Sequence, residues 1–284
     1  MKNLLIKYSY VVLFITISFV NFSCKEEQDS EVVVKHTEEE KQQIIEEALG
    51  NAYKHDLYSQ EFQEELDVGL AKDPTLAYLW QQKAMPLYKQ GKYEVGKPFL
   101  DKAVQYNRDR YLDYRAFMEC IFAKNYREAI TEFKKCVAEY GNSYVMDQTY
   151  NCYIGISHLM LNEFETAEAI FEEDIETITK QQDADWIHPL ELFYYGLSCF
   201  EQKKYEKAVS IFNSALDKYP TFSDVQYYKA IALARLNKLE EARIVMKSAS
   251  KNAKLGNTIN EDNAIYERYP YQVRLNTYKM YESN

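Results

Sequence analysis

One spaced pattern of small and large residues returns six times along the chain at intervals near 34 residues, and it constrains the fold more than any other feature. The clearest copy reads Leu192, Tyr195-Gly196, Cys199, then Tyr205, Ala208, Phe212, Ala215-Leu216 and Pro220. With Pro189 as position 1, Gly196 is position 8, Ala208 position 20, Phe212 position 24 and Ala215 position 27. The frame returns from Ala77 (Trp80, Ala84, Tyr93, Gly96, Leu100, Ala103) and from Arg110 (Phe117, Tyr126, Ala129, Phe133, Cys136). It returns again from Gln148 (Ile154, Gly155, Phe164, Ala167, Phe171) and from Ser223 (Ala230, Leu239, Ala242, Met246, Ala249). A degenerate copy from Gln43 keeps Leu49-Gly50, Tyr53, Leu66, Gly69-Leu70 and Pro74. Starts at 43, 77, 110, 148, 189 and 223 lie 34, 33, 38, 41 and 34 residues apart. A period of this length marks a stacked array, because one short unit cannot bury its own apolar face.

The pattern resembles the tetratricopeptide repeat. That resemblance implies an all-α solenoid of about six helix-turn-helix units over residues 43–256, wound as a right-handed superhelix. Small residues at positions 8 and 20 let the paired helices approach closely, and large ones at positions 4, 24 and 28 fill the space to the next unit. The two long intervals predict extra turns around Gly141–Tyr144 and Gln181–His188. Pro86 and Pro98 fall inside the two helices expected of one unit, where an interior proline costs ~3 kcal/mol. A kink is expected there, or a helix start displaced past Pro98.

Residues 1–23 read as a secretory leader. Lys2 and Lys7 precede the uncharged run Val11 to Val20, whose ten residues rise only about 15 Å as a helix, half of a hydrocarbon core. Asn21-Phe22-Ser23-Cys24 then resembles the lipobox of bacterial lipoproteins, which implies lipidation of Cys24 and a lipid anchor in the outer membrane. Asn21 departs from that pattern, which usually has an aliphatic residue there. Residues 24–42 are acidic and read as a tether, and Cys24-Lys25-Glu26-Glu27 resembles a signal for the cell surface. The formal charge of −10, from 34 basic and 44 acidic residues, argues against a nucleic-acid partner.

In the family resembled, ligands lie on the concave face made by the first helices. Carried over position by position, that face is Tyr78, Tyr88, Tyr111, Tyr114, Met118, Phe122, Ile156, Phe193, Leu197, Phe200, Tyr227 and Ile231. It is apolar and aromatic. Glu47, Gln81 and Tyr114 stand at position 5, and family members that clamp a carboxylate terminus need Lys, Asn and Arg at the ligand-facing positions, so that reading fails. Two readings of the strip remain: a site for a peptide of another protein, or a groove filled by residues 257–284, which carry Tyr266, Tyr269, Tyr271, Tyr278 and Tyr281.

Signals of catalysis are missing from the sequence. It has no glycine-rich phosphate loop, no nucleophile elbow and no zinc-protease motif. His36, His55, His158 and His188 lie in separate elements without ligand spacing, so neither metal nor cofactor is expected. Cys120, Cys136, Cys152 and Cys199 read as small buried side chains, with Cys136 and Cys152 the one pair placed for a disulfide. The sequence therefore points to a non-enzymatic protein–protein adaptor at the bacterial envelope. The alternatives are a lipoprotein binding surface glycan or another small ligand, and an immunity protein that occludes a toxin.

Overall fold

The computed structural model describes residues 36–279; the leader, Cys24 and residues 280–284 lie outside them. Twelve long helices follow one another as six antiparallel pairs: α1 (Glu38–Ala52) with α2 (Gln60–Lys72), α3 (Ala77–Lys89) with α4 (Tyr93–Tyr106), α5 (Arg108–Phe117) with α6 (Tyr126–Tyr140), α7 (Tyr150–Met160) with α8 (Phe164–Gln181), α9 (Pro189–Glu201) with α10 (Tyr205–Lys218), and α11 (Ser223–Arg235) with α12 (Leu239–Lys254). Each second helix also packs on the first helix of the next pair. A short helix, α13 (Leu275–Lys279), follows a mostly irregular segment and lies on α12. This is the expected solenoid of helix-turn-helix repeats.

The small-and-large logic is visible where the pairs touch. Gly196 of α9 faces the ring of Phe212 of α10, and Gly155 of α7 faces that of Phe171 of α8. A Cβ on Gly196 would come within 2.4 Å of the Phe212 ring. The turns inside the last five pairs are three residues long, that of the third pair counted from Phe122 where a π-helical extension of α5 ends, and in each the middle residue has positive φ: Gly91, Lys124, Asn162, Lys203 and Asn237. One main core runs from α3 to the C-terminal segment, and a smaller one joins α1, α2 and the start of α3; Trp80 packs against both.

Three details depart from the sequence reading. Helix α1 begins at Glu38, not at 43, because Thr37 and Glu40 form a reciprocal capping box inside what reads as an acidic tether. Its turn to α2 is seven residues long, so the register shifts: the buried close-contact residue is Ala48, against Gly69, while a Cβ on Gly50 would meet nothing. Helix α4 starts at Tyr93 and runs through Pro98; its start is not displaced. The ring of Pro98 is exposed, and the helix tolerates one missing backbone bond because Gly96, Leu100 and Ala103 are anchored in the interior. Cys120, Cys136, Cys152 and Cys199 are free and buried, in keeping with their reading as small buried side chains. Cys152 aims its Sγ at Gln148 Oε1, 3.7 Å away and two residues before its helix begins.

Both predicted insertions carry structure. After α6 the chain makes a two-residue hairpin, β1 (Tyr144–Val145) against β2 (Gln148–Thr149), with Tyr144 opposite Thr149. Met146 and Asp147 at its tip both have positive φ, the geometry of a primed turn. After α8 a 3₁₀ turn, Ala184–Trp186, leads to His188 and Pro189, which cap and begin α9. Helix α5 continues into a π-helical turn, Met118–Phe122; this follows Phe117, a large residue at position 8 where other units place a small one.

Candidate functional site

The face made by the first helices of the array is occupied by the chain's own residues 257–273. The segment leaves α12 at Gly256, whose φ of +82° allows the turn, and is fixed at once to α11: the Ser223 backbone N–H donates to the Asn257 carbonyl (2.8 Å). Asp224 then holds two separated stretches together. Its carboxylate accepts from the Thr258 hydroxyl (2.6 Å), the Ile259 N–H (3.1 Å) and the Val273 N–H (2.6 Å). Burial pushes the Asp224 carboxyl above its ordinary pKa range, and these three donors oppose that shift.

Between those points the segment crosses the first helices of the array. Lys89 at the end of α3 lies 4.3 Å from the centre of the Tyr266 ring. Glu267 accepts from the Tyr93 hydroxyl and pairs with Lys124 at 3.3 Å. Lys124 also donates to the carbonyls of Ile121 (2.5 Å) and Arg268 (2.6 Å). Tyr194 of α9 donates its hydroxyl to the Pro270 carbonyl (3.1 Å), and Tyr228 of α11 donates to the Tyr271 carbonyl (3.3 Å). Tyr271 borders a small cavity with Leu159 and Met160 of α7. Ile259, Tyr269 and Tyr278 are buried, so the segment completes the apolar interior rather than resting on it.

Three carbonyls within four residues, those of Arg268, Pro270 and Tyr271, are thus read by side chains of the array. Hydrogen bonds to backbone carbonyls do not depend on the side chains of the bound segment, and tyrosine adds area at low entropic cost. The stretch so held is a turn rather than a strand: the Gln272 N–H returns to the Tyr269 carbonyl (3.2 Å) and Tyr271 has a φ of +59°.

The residues expected to line this face divide sharply. Tyr88, Tyr111, Met118, Phe122, Ile156, Phe193 and Leu197 are buried within the array. Tyr88 packs on Gly96, Tyr93 and Phe122. Tyr114 and Phe200 are partly buried, Tyr114 accepting from Gln81 and Phe200 packing edge-on against Tyr228. Tyr227 meets Tyr278 of α13, and Ile231 lines a hollow on the last pair. Tyr78 alone of the twelve is exposed, at 41%. The side chains that hold the segment are instead Asp224, Tyr194, Tyr228, Lys124 and Tyr93. Tyr153, Tyr194 and Tyr228 stand at position 6 of three successive units, and that periodic tyrosine is the sequence signal for two of these contacts.

A second polar cluster lies between the two insertions. Asp174 of α8 accepts from the Thr149 hydroxyl and from Asn142 Nδ2 (2.6 Å), and neighbours the buried Glu191 of α9. Burial, and then the Asp174 charge, push the Glu191 carboxyl up to about 9. One proton therefore resides on this pair at neutral pH. Among the described residues no group of three or more His, Cys, Asp or Glu side chains is arranged to hold a metal ion.

Comparison with known proteins agrees with the repeat register. Residues 200–255 match the family described as Tetratricopeptide repeat. Among solved structures, PilW, a widely conserved type IV pilus biogenesis factor, superposes with a TM-score of 0.59 at 13% identity, covering 77% of this chain and 96% of that one. A tetratricopeptide repeat protein from Parabacteroides merdae gives 0.54 at 14% identity, covering 87% of this chain and 100% of its own. MamA from Desulfovibrio magneticus gives 0.52 at 14% identity, covering 63% and 96%. At these identities the likeness is one of fold.

Proposed function

We propose, on the premise that the chain is a tetratricopeptide-repeat protein, that it is a non-enzymatic scaffold whose concave face binds a peptide segment. The observation that carries this reading is the chain's own segment in that face, with the carbonyls of Arg268, Pro270 and Tyr271 held by Lys124, Tyr194 and Tyr228. The bound segment occupies the seat that a partner peptide would take, so the scaffold is self-occupied at rest. The test is a protease site inserted between Gly256 and Asn257. After cleavage, the released residues 257–284 should remain bound and be displaced by a synthetic 257–279 peptide in a concentration-dependent way. Immediate loss of the segment with the array still helical would refute a peptide-binding face.

The scaffold is placed at the bacterial envelope by the N-terminal reading. The support is sequence alone: the short apolar run, the lipobox-like Asn21-Phe22-Ser23-Cys24 and the acidic stretch that follows. Among the described residues no helix is long and apolar enough to cross a membrane. The anchor is then the acyl chains on Cys24, each buried methylene contributing ~0.8 kcal/mol. Incorporation of labelled fatty acid that Cys24→Ser abolishes, with the variant leaving the membrane fraction, is the expected result; unchanged membrane association of Cys24→Ser contradicts the assignment.

A further inference from the structure

The last helix pair ends in an open hollow of about 750 Å³ between α11 and α12, lined by Ala230, Ile231, Ala234, Leu239, Ala242 and Met246, with Arg235, Arg243, Lys247 and Ser250 around them. Its shape follows from the repeat. Every one of these residues stands 34 positions after a residue of the α9–α10 pair, from Gly196 to Leu216, and that earlier surface is the one on which α11 packs. The hollow is therefore the seat of a further helix, built to the same plan as the internal seats.

It differs from the internal seat in two ways. It is deeper, because Phe200, Phe212 and Leu216 are replaced at the equivalent positions by Ala234, Met246 and Ser250. It is also cationic: Glu201, Val209 and Asn213 give way to Arg235, Arg243 and Lys247. Among the described residues no acidic side chain lines it, in a chain of formal charge −10; Glu240, which reaches Arg243 at 3.3 Å, stands outside the lining. Positive side chains gathered around an apolar helix seat, on an otherwise acidic protein, are complementary to one kind of occupant. We propose that this end of the solenoid docks an amphipathic α-helix of another protein, its apolar stripe in the hollow and its acidic flanks against Arg235, Arg243 and Lys247. The hollow shares Ile231 with the face expected to be concave, but none of the side chains that hold residues 257–273 lines it, so the proposal stands or falls independently of that reading.

The probe is a fluorescein-labelled synthetic helix of 18 residues with leucines at i, i+3, i+4, i+7 spacing and glutamates on its flanks, beside a copy with lysines in place of the glutamates. Fluorescence anisotropy with the full chain should show saturable binding of the acidic helix alone. Arg243→Glu with Lys247→Glu, both at exposed positions, should weaken it at least tenfold and confer binding of the lysine copy. Circular dichroism and the melting temperature of that variant report that the array is intact. Equal binding of both helices, or an acidic-helix affinity untouched by the double reversal, overturns the proposal. It is also overturned if deleting residues 280–284 raises the affinity tenfold, which assigns the seat to this chain's own segment. Self-association of the free protein that the reversal abolishes overturns it in favour of a second copy. The concave-face test, cleavage after Gly256, uses none of these residues, so the two failures are distinguishable.

Discussion

Two glycines on first helices of the array should respond oppositely to the same substitution. A Cβ on Gly196 would lie 2.4 Å and 2.6 Å from two atoms of the Phe212 ring, where about 3.5–4.0 Å is the favourable separation. Phe212 is fully buried and has Phe193 on another side at a ring separation of 6.5 Å, so the ring moves only by disturbing the α9–α10 interface. Overpacking of this kind costs roughly 1–3 kcal/mol, against ~1 kcal/mol gained from alanine's better helix propensity. Gly196→Ala should therefore be destabilising by up to about 2 kcal/mol. Gly50 of α1 has nothing within 4 Å of the added Cβ and keeps the whole propensity gain, so Gly50→Ala should be stabilising by ~1 kcal/mol. At about 2–4 °C per kcal/mol for a domain of this size, scanning calorimetry separates the two variants by several degrees. Adding Phe212→Leu to Gly196→Ala should cost less than the sum of the two single changes, since the methyl and the ring compete for one space. A Gly196→Ala protein that melts as high as Gly50→Ala would refute the reasoning.

Glu191 supplies a pH prediction. Its folded pKa of about 9 is raised from 4.5, so the stability linked to its proton is complete below pH 4.5 and is lost as pH rises toward 9. At pH 7 keeping that proton costs about 3 kcal/mol, from 2.5 units at 1.36 kcal/mol each. Glu191→Gln removes this cost and still offers a donor to Asp174. It should melt higher than the parent at pH 8 and no higher near pH 4.5; a lower melting point at pH 8 would count against a protonated Glu191. Pro98→Ala restores the backbone bond to the Glu94 carbonyl at an exposed site and should raise stability by about 1–3 kcal/mol in urea titration. No gain there would mean that the helix already relaxes around the ring.

The repeat register was legible because it is local: Gly196, Ala208, Phe212 and Pro220 each report on a helix pair that packs within one unit. It was misread where a turn changes length. The seven-residue turn of the first pair moved the contact from Gly50 to Ala48, and the acid run Glu38–Glu40 concealed a helix start that Thr37 and Glu40 together encode. The binding face was misread for a related reason. Positions carried over from peptide-bound arrays describe an open groove, whereas Tyr88, Phe122 and Phe193 are drawn into the core. A single sequence does not reveal where an irregular segment will lie, since Asp224 joins Ile259 to Val273 across distances set only by the folded array.

The account rests on residues 257–273 lying bound in the concave face, and hydrogen exchange of the full chain tests this most directly. The Ile259 and Val273 amides, both donated to Asp224, should exchange orders of magnitude more slowly than in a free peptide of the same sequence. Asp224→Ala should abolish that protection while leaving α3 to α10 protected. Free-peptide exchange at Ile259 and Val273 in the parent chain would contradict the central claim.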